Sequence, residues 1–193
     1  MIDINFEIFP NLESKNLRYR RVVASDWPQL VRLRGNAETM KYIPRPLCKT
    51  ESDCMFLIAK FDEGIASNSG INWGIISKES DILIGLISFH IINKQHHRAE
   101  IGYMISPEYQ GKGLISEGIK TLLQYGFAAL KLHSVEAMID PDNLASERVL
   151  LANNFVKEAH FIENEFYDGK FLDKAVFSIL ARNFNKGTSK NYI

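Results

Sequence analysis

An α/β fold of the α+β type is predicted, with about seven strands in a mostly antiparallel, twisted mixed sheet and about four flanking helices. Three observations predict it. The β-rich runs 72–77, 82–92 and 99–105 follow one another with only turn residues between them, which makes a meander rather than the strand-helix alternation of a doubly wound sheet. From Leu114 the apolar spacing changes to three or four, through Ile115, Ile119, Leu122, Leu123, Gly126, Phe127 and Leu130, so a long amphipathic helix packs on that sheet. With 193 residues, 46% of them hydrophobic, the chain can bury a sizeable core as one domain.

The elements follow in order. Residues 17–23 read as a strand, closed by Ala24-Ser25-Asp26, and Ser25 or Asp26 can cap a helix through Arg34 that turns Leu30, Leu33 and Trp27 inward. Pro44 and Pro46 break the next stretch. Thr50-Glu51-Ser52-Asp53 opens a second helix carrying Met55, Phe56, Ile58, Ala59 and Phe61, which ends in the loop 66–70. Lys78-Glu79-Ser80-Asp81 and Asn93-Lys94-Gln95-His96 are the turns of the meander. After the long helix come a strand at 134–139, a short helix at 144–152, and a closing antiparallel pair, 156–165 and 175–181, around Asp168-Gly169. Residues 1–16 form an N-terminal extension, 17–182 the domain and 183–193 a polar tail.

Charge removes two function classes. Lys and Arg number 23 and Asp and Glu number 23, so no net positive field gathers nucleic acid or an anionic membrane surface, and phosphate recognition has to be local. No run reaches the roughly 18 apolar residues of a membrane span, and Cys48 and Cys54 lack the spacing of a zinc site. Both read as reduced, partly buried thiols in a cytoplasmic protein without a metal. His96 and His97 are adjacent in a hairpin connection, point to opposite faces and are expected in solvent. No nucleophile elbow is present, so direct transfer is expected rather than a covalent enzyme intermediate.

The most informative segment runs from Ile105 through Ser106, Gln110, Gly111, Lys112, Gly113, Leu114 and Ile115 to Ser116, where a strand ends, a glycine-rich turn follows and a helix begins. The first amides of a helix have no intrahelical acceptor and, with the dipole, favour an anion. Taken alone, such a turn is also explained by steric need for glycine. It is neither a P-loop nor a dinucleotide fingerprint.

Gln110, Gly113 and Ile115 stand at the defining places of Gln/Arg-x-x-Gly-x-Gly/Ala, and the run resembles this signature of the GNAT acetyltransferase superfamily, departing from it at Ile115. The resemblance implies the GNAT acyl-CoA N-acyltransferase fold. It implies that the cradle 110–116, entered through Ser106, holds the pyrophosphate of acetyl-CoA, while Met104 and Ile105 offer backbone to the pantetheine and thioester. The run from Asn143 through Ser146, Val149 and Leu150 to Phe155 resembles the family's Asn-x-x-Ser segment, in which the Asn contacts the cofactor arm and the serine lies near the sulfur. On the residues alone, Asn143 caps the short helix. Asn154 replaces the family's usual glycine and accepts the same left-handed conformation. Arg98-Ala99-Glu100-Ile101-Gly102-Tyr103-Met104 resembles the strand of the branch that acetylates alanine or serine at ribosomal-protein N-termini.

The resemblance assigns Glu100 as general base; as an arbitrary strand glutamate it would simply face solvent. The family's acid tyrosine is replaced by Leu150, which favours Ser146 as the proton donor to the departing sulfur, or leaves the thiolate without a dedicated acid. The expected activity is acetyl transfer from acetyl-CoA, as co-substrate, to a primary amine. A protein N-terminus is the expected acceptor, with a polyamine or aminoglycoside-like amine as the alternative, and a non-catalytic CoA-binding domain as a further one. A monomer or homodimer is expected.

Overall fold

The computed structural model describes residues 1–188, with side chains described through residue 184; the end of the predicted polar tail lies outside the described residues. Eight strands form one sheet: β1 (Leu12–Glu13), β2 (Leu17–Arg21), β3 (Ile71–Ser77), β4 (Leu83–Asn93), β5 (Arg98–Ile105), β6 (Ser134–Ile139), β7 (Val156–Tyr167) and β8 (Lys170–Leu180), in the spatial order β1-β2-β3-β4-β5-β6-β8-β7. All neighbours are antiparallel except β5 and β6. The helices are α1 (Trp27–Arg34), α2 (Ala37–Met40), α3 (Glu51–Ala66), α4 (Leu114–Ala128), α5 (Leu144–Ala152) and α6 (Ala181–Thr188). Against the expected seven strands and four helices, the additions are β1, α2 and α6, each shorter than the window in which a hydrophobic period can be read. Among the described residues no helix is long and apolar enough to cross a membrane.

Alternation along the strands sends side chains into two cores. On one face Ile119, Leu122 and Leu123 of α4 and Leu150 of α5 pack on Tyr19, Ile75, Ile87, Ile101, Val135 and Phe177. On the other, Leu30 and Leu33 of α1 and Cys54 and Ile58 of α3 pack on Val22, Ile76, Leu86 and Met104. Each fully buried aliphatic side chain contributes about 1.5–3 kcal/mol of transfer free energy. Close contact of α4 with the sheet needs Gly126, where a Cβ would stand 2.9 Å from Phe89 Cζ. The N-terminal segment joins the first core through Ile4 and Phe6, both buried, and Pro10 O accepts a 2.7 Å hydrogen bond from the buried Trp73 Nε1.

Capping follows the sequence in α3, where Thr50 and Asp53 form a capping box. Before α1 it does not. Asp26 instead accepts from Val23 N at 2.9 Å and binds the Arg20 guanidinium through both oxygens at 2.7 Å, a paired, almost fully buried carboxylate tying β2 to α1. In β7 the register slips between Phe161 and Glu165; Glu163 takes φ 52°, and its N–H donates to Asp173 Oδ1 at 2.9 Å.

Candidate active site

The sheet carries a split between two neighbouring strands that sequence patterns do not announce. β5 and β6 pair through Arg98↔Ser134, Ala99↔Val135 and Glu100↔Glu136, and there the pairing stops. Beyond it β5 continues along β4 to Ile105, and β6 continues along β8 to Ile139. Two adjacent strands therefore diverge as a wedge with Glu100 at its vertex. The closed end is anchored at the β4–β5 turn, where His97 O accepts from His133 N at 2.7 Å. His97 takes φ 50° in that turn and His96 is exposed. Since Ser106 N donates to Ile84 O at 2.9 Å, alternation directs the backbone of Met104 to β4 and the N–H and C=O groups of Tyr103 and Ile105 into the wedge.

At the mouth of the wedge the chain turns through Gly111 at φ 71° and Gly113 at φ 76° into α4. A Cβ at either glycine would meet nothing within 4 Å, so the left-handed backbone, rather than lack of space, calls for glycine. Gly113 is the N-cap, and no side chain caps this helix. By contrast α2, α3 and α5 are capped by Asn36, Thr50 and Asn143. The amides of Leu114, Ile115 and Ser116 thus lie in a first turn without helical acceptors. Around them, Gln110 Nε2 reaches Ile105 O at 3.4 Å, and the exposed Lys112 ammonium lies 5.2 Å from the centre of the Tyr109 ring. Leu114 and Ile115 pack against the first core, so the branched side chain at the signature's variant position turns inward.

α5 forms the opposite rim. Asn143 Oδ1 accepts from Ser146 N at 3.0 Å, the capping role expected from the residues alone. The Ser146 carbonyl accepts from the Tyr103 hydroxyl at 3.5 Å, bridging the wedge from β5. Burial pushes the Tyr103 phenol up to about 12, with the Ser146 hydrogen bond opposing it, so the group stays protonated. Leu150 is wholly buried. At the far end of α5, buried Asn153 donates to Ser116 Oγ at 2.9 Å and to Val149 O at 2.7 Å, which occupies the Ser116 side chain and ties the two helices together. Asn154 takes φ 64°, as expected of a glycine substitute.

The other face of the sheet supplies the titratable groups. The Glu100 side chain is only 12% exposed and approaches His90 Nε2 at 3.1 Å, while Arg98 pairs with Glu136. Farther along that face, Glu165 on β7 binds Arg45 of the α2–α3 connection at 2.6 Å and Lys174 of β8 at 2.7 Å. Burial raises the Glu165 carboxyl, but the bonds to Lys174 and Arg45 outweigh it and leave it below the usual glutamate range. Cys48 and Cys54 are free and buried, and desolvation pushes the Cys54 thiol up to about 11.

Glu100, Tyr103, Ile105, Ser146 and the 110–116 turn thus surround one wedge, with Met104 and Ser106 on its β4 side. Reading the sequence missed His90, Tyr103 and Asn153. No spacing signal announced His90: counted back from the β4–β5 turn it would pair with Ile101, and only the register slip between Phe89 and Ile91 brings it to Glu100. The arrangement offers a backbone-lined slot, an uncapped helix terminus for an anion, and a carboxylate where the strands part.

Comparison with known proteins agrees with this fold. The acetyltransferase (GNAT) domain family matches residues 16–156. The N-acetyltransferase YoaA of Bacillus subtilis is 34% identical over 173 residues, covering 90% of this chain and 98% of that protein. Spermidine N-acetyltransferase from Vibrio cholerae, solved with CoA and spermine, superposes with a TM-score of 0.77 at 26% identity, covering 89% of this chain and 99% of that one. Ribosomal-protein-S5-alanine acetyltransferase from Vibrio fischeri shares the fold, with a TM-score of 0.79 at 23% identity over 91% of this chain and 98% of that one.

Proposed function

The chain belongs to the GNAT acetyltransferase family, and from that premise we propose that it moves an acetyl group from acetyl-CoA directly to the primary amine of a protein or peptide N-terminus in the cytoplasm. The observation that carries the reading is the carboxylate of Glu100 at the vertex of the β5–β6 wedge.

The residues present fit acetyl-CoA. The uncapped amides of Leu114, Ile115 and Ser116, with the turn Gln110-Gly111-Lys112-Gly113, hold the pyrophosphate. The wedge-facing groups of Tyr103 and Ile105 take the pantetheine amides; Met104, expected to offer its backbone there, pairs with β4 instead and buries its side chain in the second core. Asn143 shapes the rim through its cap of α5. When bound, the thioester supplies an activated acyl group.

Glu100 then removes a proton from the amine, directly or through water, because an amine is mostly protonated at neutral pH and attacks only when neutral. The Ile105 amide stabilises charge on the acyl oxygen. Ser146, on the first turn of α5, passes a proton to the departing sulfur and takes up the one the nitrogen loses as the amide forms, the role for which Leu150 has no group. Supporting an N-terminal acceptor is the Arg98–Met104 run. The spermidine acetyltransferase relative favours a polyamine as the second reading.

Release of CoA thiol separates the two. With an alanine-initiated peptide and with spermidine as probes, turnover is expected with the peptide. Turnover with spermidine and none with the peptide overturns the acceptor assignment.

A further inference from the structure

Glu100 stands beside a second carboxylate, since its Cα partner on β6 is Glu136. Arg98 neutralises Glu136 through Nη2, and a different group faces Glu100. That group is His90, with Nε2 3.1 Å from Glu100 Oε1 and a side chain 39% exposed. Three features of the fold put the ring there. The β4 register slips between Phe89 and Ile91, so Ile91 is the Cα partner of Glu100 and His90 is the extra residue of a bulge. Gly102 leaves room for the imidazole: a Cβ there would stand 3.1 Å from Nδ1 and 3.3 Å from Cε1. Gly70 lets the loop before β3 close on the bulge, where a Cβ would stand 2.7 Å from His90 O, and Ser69 O accepts from Ile92 N at 2.8 Å.

We propose that His90 is the positioning residue of Glu100, a role that rests on Glu100 acting as the base. Held at Oε1 by Nε2 of the imidazole, the carboxylate keeps Oε2 for the amine. Bulges next to active sites re-aim side chains in this way, and a base fixed in one orientation transfers protons more effectively than a rotating one.

The contact is tested first without an acceptor. In side-chain nitrogen NMR of the full chain, His90 carries its proton on Nε2 in the wild type and loses that preference in Glu100→Ala; identical spectra overturn the proposal. Kinetics with the alanine-initiated peptide and spermidine then test the role. His90→Ala is expected to lower kcat about tenfold at unchanged KM for acetyl-CoA, and His90→Gln, which restores a donor, recovers most of the loss. In a Glu100→Gln background His90→Ala should cost nothing more. A multiplicative loss there removes the positioning role and leaves the base standing, whereas full activity of Glu100→Gln alone removes both.

Discussion

On the α4 side of the sheet the candidate site is made of backbone: amides at an uncapped helix start, two left-handed glycines, and the strand groups of Tyr103 and Ile105 beyond the end of β5–β6 pairing. On the α1–α3 side it is made of side chains, Glu100 with His90 and Glu136 with Arg98, and farther along that face Glu165 pairs with Arg45 and Lys174. The difference separates two kinds of encoding. Backbone recognition is set by a few adjacent residues, because conformation is a local property. Side-chain recognition is assembled from strands and loops far apart in the chain, such as Arg45 and Glu165, and exists only once the sheet has registered.

The division can be broken from either side. The largest effect is expected from Glu100→Gln, which should lower kcat by about 10²–10⁴-fold, the usual worth of a general base, with acetyl-CoA affinity intact. Isothermal titration together with thiol-release kinetics measures both, and a comparable loss of cofactor affinity would mean that the two sides are not independent. Next comes Gly113→Val. A β-branched residue at φ 76° is strained by about 1–2 kcal/mol, so acetyl-CoA affinity should fall about tenfold while KM for the amine holds. A change confined to the amine would contradict the assignment of the turn.

Arg45→Ala sharpens the other side. This pair is more than half exposed at Arg45, so no change for acetyl-CoA and little change in thermal midpoint at neutral pH are expected. The pH dependence has a definite sign. Glu165 titrates below its ordinary value when folded, so its ion pairs stabilise the protein above about pH 4.3 and are lost as pH falls through the depressed value. Arg45→Ala should shrink that acid-side loss in melting curves taken across the range. The smallest effect belongs to Tyr103→Phe, which removes a 3.5 Å hydrogen bond to the Ser146 carbonyl and should cost about 0.5–1 kcal/mol of stability in urea unfolding.

The same division decides what could be read before the structure was in hand. The meander, α4, and the turn from Gln110 to Ser116 were legible because each rests on local period or local conformation. Asn154 at φ 64° is another such case, predictable from its place after α5. The wedge was not legible, because nothing in 98–105 or 134–139 marks where two neighbouring strands stop pairing. His90 was hidden for a related reason. A hairpin counted back from the Asn93 turn gives its register, but the slip between Phe89 and Ile91 is a property of the paired strands. Asp26 was misread as a helix cap because a local role was available; Arg20, on the strand before it, takes both of its oxygens instead.

The slipped register of β7 bears on how the molecule behaves at high concentration. β7 ends the sheet, and a border strand of this length carrying Phe161, Ile162 and Phe166 would offer other chains a template for β-aggregation. Between Phe161 and Glu165 that template is interrupted: the Glu163 N–H is claimed by Asp173 and its backbone leaves the β region. The irregularity breaks the border strand into shorter stretches and interrupts any single ladder running its full length, one of the devices by which open sheet borders are blunted.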